Sequence, residues 1–72
     1  MNKNKLVGTM YANGDTQETL ATAIGLSTSR FNAKLNETGG AEFTQGEIRR
    51  IKKRYELTPS DIDEIFFTEN VS

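Results

Sequence analysis

The sequence of 72 residues carries a formal net charge of −1, is long enough for one small core and excludes a second module, so we expect a single domain over residues 1–72. It contains no Cys, no His and no Gly-Lys-Ser/Thr phosphate motif, which leaves disulfides, bound metals, cofactors and enzymatic chemistry almost without support. No apolar run approaches the roughly 18 residues of a membrane span and the amino terminus lacks an apolar signal region, so we expect a soluble cytoplasmic protein.

The first predicted element is a helix over residues 3–12. Four apolar residues at i, i+1, i+4 and i+5 share the face that we expect to pack against the core: Leu6, Val7, Met10 and Tyr11. Asn13 and Gly14 end this helix because both tolerate left-handed backbone angles. Asp15 or Thr16 then caps the next helix.

Residues 16–36 predict two helices joined by a tight turn. The first of these two helices runs from about residue 17 to residue 24, and its apolar stripe consists of Leu20, Ala21 and Ile24. Gly25 ends this helix, since the residue just past a helix usually adopts a left-handed conformation that only Gly reaches without steric cost. The small Ala21 and the immediate restart after Gly25 favour close packing of the two helices.

The second helix of this pair is predicted from Thr28 to about Asn36, with Ser27 as its N-cap. Leu26 precedes the cap and Phe31 follows it by four residues, which is the spacing of a hydrophobic staple. Phe31 and Leu35 are separated by one turn and give this helix its buried edge.

The opposite face of that helix is short, polar and uncharged. It consists of Thr28, Ser29, Asn32 and Asn36, with Ala33 beside them. Small groups allow close approach to a DNA major groove, hydroxyls and amides match base-edge donors and acceptors, and Asn suits paired contact with adenine. The alternative is a solvated helix face without a ligand.

Two adjacent glycines, Gly39 and Gly40, predict a mobile loop before the next helix. Thr44 and Glu47 have the spacing of a capping box at the start of that helix, which runs to about residue 56. Its buried stripe is Ile48, Ile51 and Tyr55. Five cations surround the stripe: Arg49, Arg50, Lys52, Lys53 and Arg54. They suit a solvated face near the negative helix end, a phosphate contact or a docking surface for a partner.

Charge is strongly segregated along the chain. Residues 1–48 hold four basic and five acidic side chains, residues 49–54 contribute +5, and residues 55–72 contribute −5 without a basic residue. Phosphate contacts supply much of any protein's affinity for duplex DNA. We therefore expect weak independent binding to DNA.

The last predicted helix begins with Thr58 as cap and Pro59 at its first position, and Leu57 can staple to Ile62. Its buried stripe is Ile62, Ile65 and Phe66. Phe67 and Val71 remain, in a short acidic tail over residues 67–72. They either close the bottom of the bundle or form an apolar patch for a partner protein, rimmed by Asp63, Glu64 and Glu69.

The spacing Q-x3-A-x3-G-x-S-x3-hydrophobic, formed by Gln17, Ala21, Gly25, Ser27 and Phe31, resembles the helix-turn-helix of the phage Cro and repressor family. The family usually has a second apolar residue three positions after Phe31, where this chain has Lys34. The wider pattern, with F-x-x-K-L-N at 31–36, F-T-Q-x-E-I at 43–48 and D-E-I-F-F-T at 63–68, resembles small Cro-like antirepressors of temperate phages of Gram-positive bacteria.

This resemblance implies an all-α, compact five-helix bundle of the lambda-repressor-like type, acting in the cytoplasm of a bacterial host cell. In a Cro-type regulator, Gln17 and the start of its helix would hold a phosphate. Bases would be read by a group with Thr28, Ser29 and Asn32 at its centre and Ser27, Ala33 and Asn36 at its margin. Arg30 and Lys34 would help to grip the backbone, and half-sites one turn apart would need a dimer.

Two functions follow from the resemblance. A stand-alone Cro-like repressor would bind operator DNA as a homodimer. An antirepressor would instead bind the lysogenic repressor of the phage and alter its DNA binding, with an acidic surface facing the basic DNA-reading face of that protein. The residues expected to contact such a partner are Asp63, Glu64, Phe67, Glu69 and Val71. We expect a combination, with weak DNA binding and much of the effect carried by the protein complex; an antitoxin or excision factor is a third, less favoured possibility.

Overall fold

Five short helices account for most of the regular structure of residues 1–68, the part of the chain that this computed structural model describes. They are α1 (Lys3–Ala12), α2 (Gln17–Ala23), α3 (Thr28–Leu35), α4 (Gln45–Tyr55) and α5 (Pro59–Ile62). A 3-10 turn, Thr38–Gly40, lies between α3 and α4, and a π-helical segment, Asp63–Phe67, continues α5. The predicted all-α bundle of five helices is confirmed.

Most of these helices begin with the cap that their local sequence predicts. Ser27 accepts a hydrogen bond from the backbone N–H of Arg30 at the start of α3. Thr44 and Glu47 form the expected capping box at α4, and Thr58 forms another at α5 with Asp61. Because each cap satisfies N–H groups that have no partner inside the helix, it fixes where that helix starts.

The end of α2 sets the geometry of the turn before α3. Gly25 adopts the left-handed conformation, with φ of 83°, and its N–H bonds the carbonyl of Thr22 at 3.2 Å. The N–H of Leu26 bonds the carbonyl of Ala21 at 2.9 Å. These two bonds form a Schellman ending, which reverses the chain and returns Leu26 to the core within one residue.

The same kind of ending closes α4, but without glycine. The N–H of Leu57 bonds the carbonyl of Lys52 at 3.0 Å, and Glu56 holds the left-handed position with φ of 52°. A side chain at this position raises the backbone energy, because its Cβ crowds the neighbouring carbonyl.

Replacing Glu56 with Gly is therefore expected to stabilise the protein by about 0.5–1 kcal/mol, measured by urea unfolding. The matched control is Glu56→Ala, which removes the same charge but keeps a Cβ and should bring no comparable gain. Equal gains in both variants would mean that the charge of Glu56, and not its backbone conformation, is the unfavourable feature.

One hydrophobic core joins the helices. Its buried members are Leu6, Met10, Leu20, Ala21, Ile24, Phe31, Leu35, Phe43, Ile48, Ile51, Ile62 and Ile65. The predicted stripe of α1 is wrong for Tyr11, which is 60% exposed. Leu6 and Met10 lie one turn apart and already fill the contact of α1, so the next position around the helix faces solvent.

Aromatic rings connect α3 to the C-terminal segment. Phe31 and Phe43 pack edge to face with ring centres 5.6 Å apart, and Phe43 packs similarly on Phe66 at 5.7 Å. This ring series explains why Phe66 faces inward, as predicted. None of the helices in residues 1–68 combines the length and apolarity needed to cross a membrane.

Candidate nucleic-acid interface

The face of α3 opposite the core is open to solvent. Phe31 and Leu35 are buried against the bundle, whereas Thr28, Ser29 and Arg30 are exposed. Asn32 and Ala33 are half-buried on the flank of this exposed face. The structure thus brings the short polar side chains predicted for base contact together on one surface.

Three of these side chains have unused hydrogen-bonding capacity. Within residues 1–68, the side chains of Thr28, Ser29 and Asn32 form no hydrogen bond to another protein group. A hydroxyl or an amide in this state can exchange its water partners for base edges without breaking an internal contact. We call Thr28, Ser29 and Asn32 the reading face.

Two of the three marginal residues of the predicted set, Ser27 and Asn36, have local roles. The hydroxyl of Ser27 accepts the N–H of Arg30 at 3.2 Å as the cap of α3. The amide of Asn36 donates to the carbonyl of Asn32 at 2.9 Å and accepts from the ammonium of Lys3 at 2.5 Å. Both residues therefore hold the ends of α3, which fixes the position of the reading face.

Gln17 is the first residue of α2 and is half-buried. The first N–H groups of any helix have no partner within it, so the start of α2 offers donors and the positive end of a helix dipole to an anion. Thr16, and not Asp15, caps this helix through the N–H of Thr19.

The expected phosphate contact of Lys34 is contradicted by its position. Lys34 and Glu47 are both buried, and the ammonium of Lys34 lies 2.7 Å and 2.9 Å from the two carboxylate oxygens of Glu47. Burial disfavours the ionised form of Glu47, but the hydrogen bonds from Lys34 and from the N–H of Thr44 outweigh it and lower its pKa. The charge of Lys34 is thus neutralised inside the protein.

The sequence indicated Asp15 only as a possible helix cap and did not predict its ion pair with Arg54. Its carboxylate is buried and accepts two hydrogen bonds from Arg54, at 2.7 Å and 2.8 Å, one from the hydroxyl of Tyr55 at 2.6 Å and one from Thr19 at 3.0 Å. The guanidinium of Arg54 and the hydroxyl of Tyr55 hold the pKa of Asp15 far below its usual range. This cluster ties the C-terminal half of α4 to the start of α2.

The five cations of α4 divide into two groups. Arg54 binds Asp15, and the guanidinium of Arg50 donates to the carbonyl of Ile24 at the end of α2, at 3.2 Å. These two residues hold α4 against the helix-turn-helix unit. Arg49, Lys52 and Lys53 form no ion pair within residues 1–68.

No family model, no curated protein and no solved structure matches this chain. The resemblance to Cro-like regulators therefore rests on the sequence pattern, and the function that it implies stays a prediction.

The C-terminal residues expected to bind a partner differ in their surroundings. Asp63 is exposed and Phe67 is 57% exposed, so Phe67 does not close the bundle. Glu64 is exposed and forms an ion pair with Lys5, and its predicted contact with a partner stays a prediction. Glu69 and Val71 lie outside the described residues. Residues 1–68 contain no group of three or more His, Cys, Asp or Glu side chains placed to hold a metal ion.

Proposed function

We propose that this chain is a DNA-binding transcription regulator without catalytic activity, in which α3 enters the major groove. We further propose that it acts largely in a complex with a second regulator, as the Cro-like antirepressors of temperate phages do. One observation supports this proposal above the others: the reading face presents hydroxyls and an amide with no internal partner, on a helix held at both ends.

Base reading requires short polar groups and a defined docking angle. In helix-turn-helix proteins the N-terminal residues of the second helix contact base edges while the first helix crosses the backbone. Thr28 and Ser29 are at the N-terminus of α3, and the amide of Asn32 can pair with an adenine. Gln17 at the start of α2 and the exposed Arg30 would contact phosphates on either side.

The electrostatics favour weak binding by the chain alone. Lys34 is neutralised by Glu47, which leaves Arg30 as the exposed cation of α2 and α3. Glu37 and Glu42 flank the loop after α3 and are both exposed. With so few phosphate contacts, affinity for DNA would be low and would depend on a partner protein.

We predict that Asn32→Ala lowers the affinity for the specific DNA site by about 1–3 kcal/mol and leaves non-specific binding unchanged. Asn32 would lose a paired contact with one base, whereas no contact with the backbone would change. Fluorescence anisotropy with specific and scrambled duplexes measures both values. The matched control is Asn4→Ala, an exposed Asn on α1, which should change neither.

The proposed complex with a partner repressor can be tested separately. Asp63→Lys combined with Phe67→Ser is expected to weaken binding to the partner repressor at least about tenfold, because both the charge and the apolar anchor of the contact are removed. Isothermal titration calorimetry measures the change. Glu18→Lys combined with Tyr11→Ser places the same changes on another surface and should bind the partner normally.

A titration distinguishes this function from the alternative, a stand-alone homodimeric Cro-like repressor. The DNA is that of the proposed phage switch region, titrated at physiological salt with and without the cognate repressor. Weak binding alone that changes when the repressor is added supports the proposal. Tight binding of the chain alone, unchanged by the repressor, supports the stand-alone repressor, and no binding in either arm contradicts both.

A further inference from the structure

The outer side of α4 carries an uncompensated positive charge. Arg49, Lys52 and Lys53, which we call the basic face, form no ion pair within residues 1–68. Arg49 and Lys53 are four residues apart on one helix, an arrangement that lowers helix stability by a few tenths of a kcal/mol. Lys52 and Lys53 lie in the last turn of α4, where cations favour the negative end of the helix, but this does not require Arg49 beside Lys53.

A shallow depression adjoins the basic face. It is lined by Arg49, Lys52, Lys53, Arg54, Glu56 and Leu57. Leu57 is half-buried at this surface and contributes an apolar side chain among the cations. The depression thus suits an occupant that presents an apolar side chain and carboxylates together.

The chain itself presents such a group. Phe67 is 57% exposed, and the exposed Asp63 lies about one turn before it in the segment that follows α5, whereas the neighbouring Glu64 is paired with Lys5. We call Asp63 and Phe67 the acidic patch. An aromatic side chain at this exposure, next to a carboxylate, combines the two properties that the depression can accommodate.

The two surfaces are anchored on different helices. The basic face belongs to a helix anchored on α2, through Arg54 to Asp15 and Arg50 to Ile24. The acidic patch is anchored on α1, where the N–H of Asn2 bonds the carbonyl of Ile65 at 2.6 Å. The two surfaces share no residue.

We infer that the basic face of one copy binds the acidic patch of a second copy, so that the protein associates head to tail. Such a contact is heterologous, because different surfaces of the two copies meet, and it can extend beyond two copies. The inference concerns the protein alone and does not depend on DNA binding.

Two observations favour a second copy over DNA as the occupant. Arg54 is neutralised by Asp15 and so contributes no free charge to phosphates, and the guanidinium of Arg50 is held by the carbonyl of Ile24. Leu57 at the depression offers an apolar contact, which the phosphate backbone has no group to use. A protein segment with Phe67 and Asp63 satisfies both the apolar and the charged parts.

Sedimentation velocity tests the inference on the full chain. At low salt the average mass is expected to rise above the 8.0 kDa of one chain as concentration increases from about 10 μM to 1 mM, the range of a weak interface. At about 0.5 M salt it should return to that value, because screening shortens the reach of the charges.

Charge reversal identifies the surfaces. Arg49→Glu with Lys53→Glu, and separately Asp63→Lys, should each weaken self-association at least about tenfold. Mixing the two variants should restore association, because each supplies the surface that complements the other. Phe67→Ser should also weaken it, while Tyr11→Ser, which changes an aromatic of similar exposure on α1, should not.

Circular dichroism establishes that each variant is folded before its mass is interpreted. A wild-type chain that stays at one-chain mass at the highest concentration overturns the inference, as does association that survives both charge reversals or is not restored by mixing. A further outcome also overturns the inference: the wild-type chain stays monomeric and binds a non-operator duplex, and the variant Arg49→Glu with Lys53→Glu loses this binding. The basic face would then be a nucleic-acid contact.

Discussion

Replacing Asp15 with Asn is expected to lower the free energy of unfolding by about 2–4 kcal/mol. The Asp15 carboxylate is buried and accepts four hydrogen bonds, two of them from the guanidinium of Arg54. An amide can accept only with its oxygen, and its NH₂ group would face donors. The effect is below the maximum for a buried ion pair because Arg54 can turn to solvent. Urea unfolding at neutral pH measures it.

The same cluster predicts how stability depends on pH. The hydrogen bonds from Arg54 and Tyr55 lower the pKa of Asp15 in the folded state, so its contribution is present above the ordinary value of 3.8 and is lost as pH falls below it. Burial and the neighbouring carboxylate raise the pKa of Tyr55, so its contribution is lost as pH rises beyond the ordinary value of 10.0. The variant Asp15→Asn should therefore lose less stability than the wild type at both low and high pH.

The control for this substitution is Glu18→Gln, which neutralises an exposed carboxylate in the first turn of α2. It should change stability by no more than about 0.5 kcal/mol. If Asp15→Asn costs as little as this control, then the cluster does not hold α4 to the start of α2. If the loss of stability at low pH is the same in Asp15→Asn as in the wild type, then Asp15 is not the group that causes this loss.

The features that the sequence predicted correctly are local. Ser27, Thr44 and Thr58 each cap a helix through an N–H three residues ahead, and Gly25 ends α2 by its own backbone conformation. All partners in these motifs lie within five residues, so a single stretch of sequence contains the whole interaction. The division of α3 into a buried side with Phe31 and a polar side is likewise contained in one stretch of sequence.

The features that it could not predict depend on distant partners. Asp15 pairs with Arg54, 39 residues away, and Lys34 pairs with Glu47, 13 residues away. In the sequence these are charged residues, and most charged residues of a protein lie in solvent. Only the packing of α4 across α2 and α3 brings each pair together and removes it from water.

This difference changes the candidate site more than it changes the fold. The reading face was predictable because it is the side of α3 away from Phe31 and Leu35. The phosphate contacts could not be predicted from the sequence, because Lys34 can contact a phosphate only if α4 does not cover it. A charge count along the chain therefore overestimates the positive charge available beside the reading face.

Glu47→Gln is expected to lower the free energy of unfolding by about 2–4 kcal/mol, because the ammonium of Lys34 would remain buried without a carboxylate. Gln can still accept the N–H of Thr44, so the cap of α4 is kept and the loss reports the charge alone. Urea unfolding of both variants, Glu47→Gln and the double variant Lys34→Met with Glu47→Gln, measures the effect. The double variant should return to within about 1 kcal/mol of wild type, since an apolar side chain can fill the buried position.

The double variant also tests where DNA is contacted. Since Lys34 is internal, removing its charge should leave both the affinity for the specific duplex and the salt dependence of binding unchanged once stability is restored. A smaller salt dependence in a stable double variant would mean that Lys34 leaves Glu47 when DNA binds. The interface would then include the C-terminal half of α3, and the buried pair would be a property of the unbound protein.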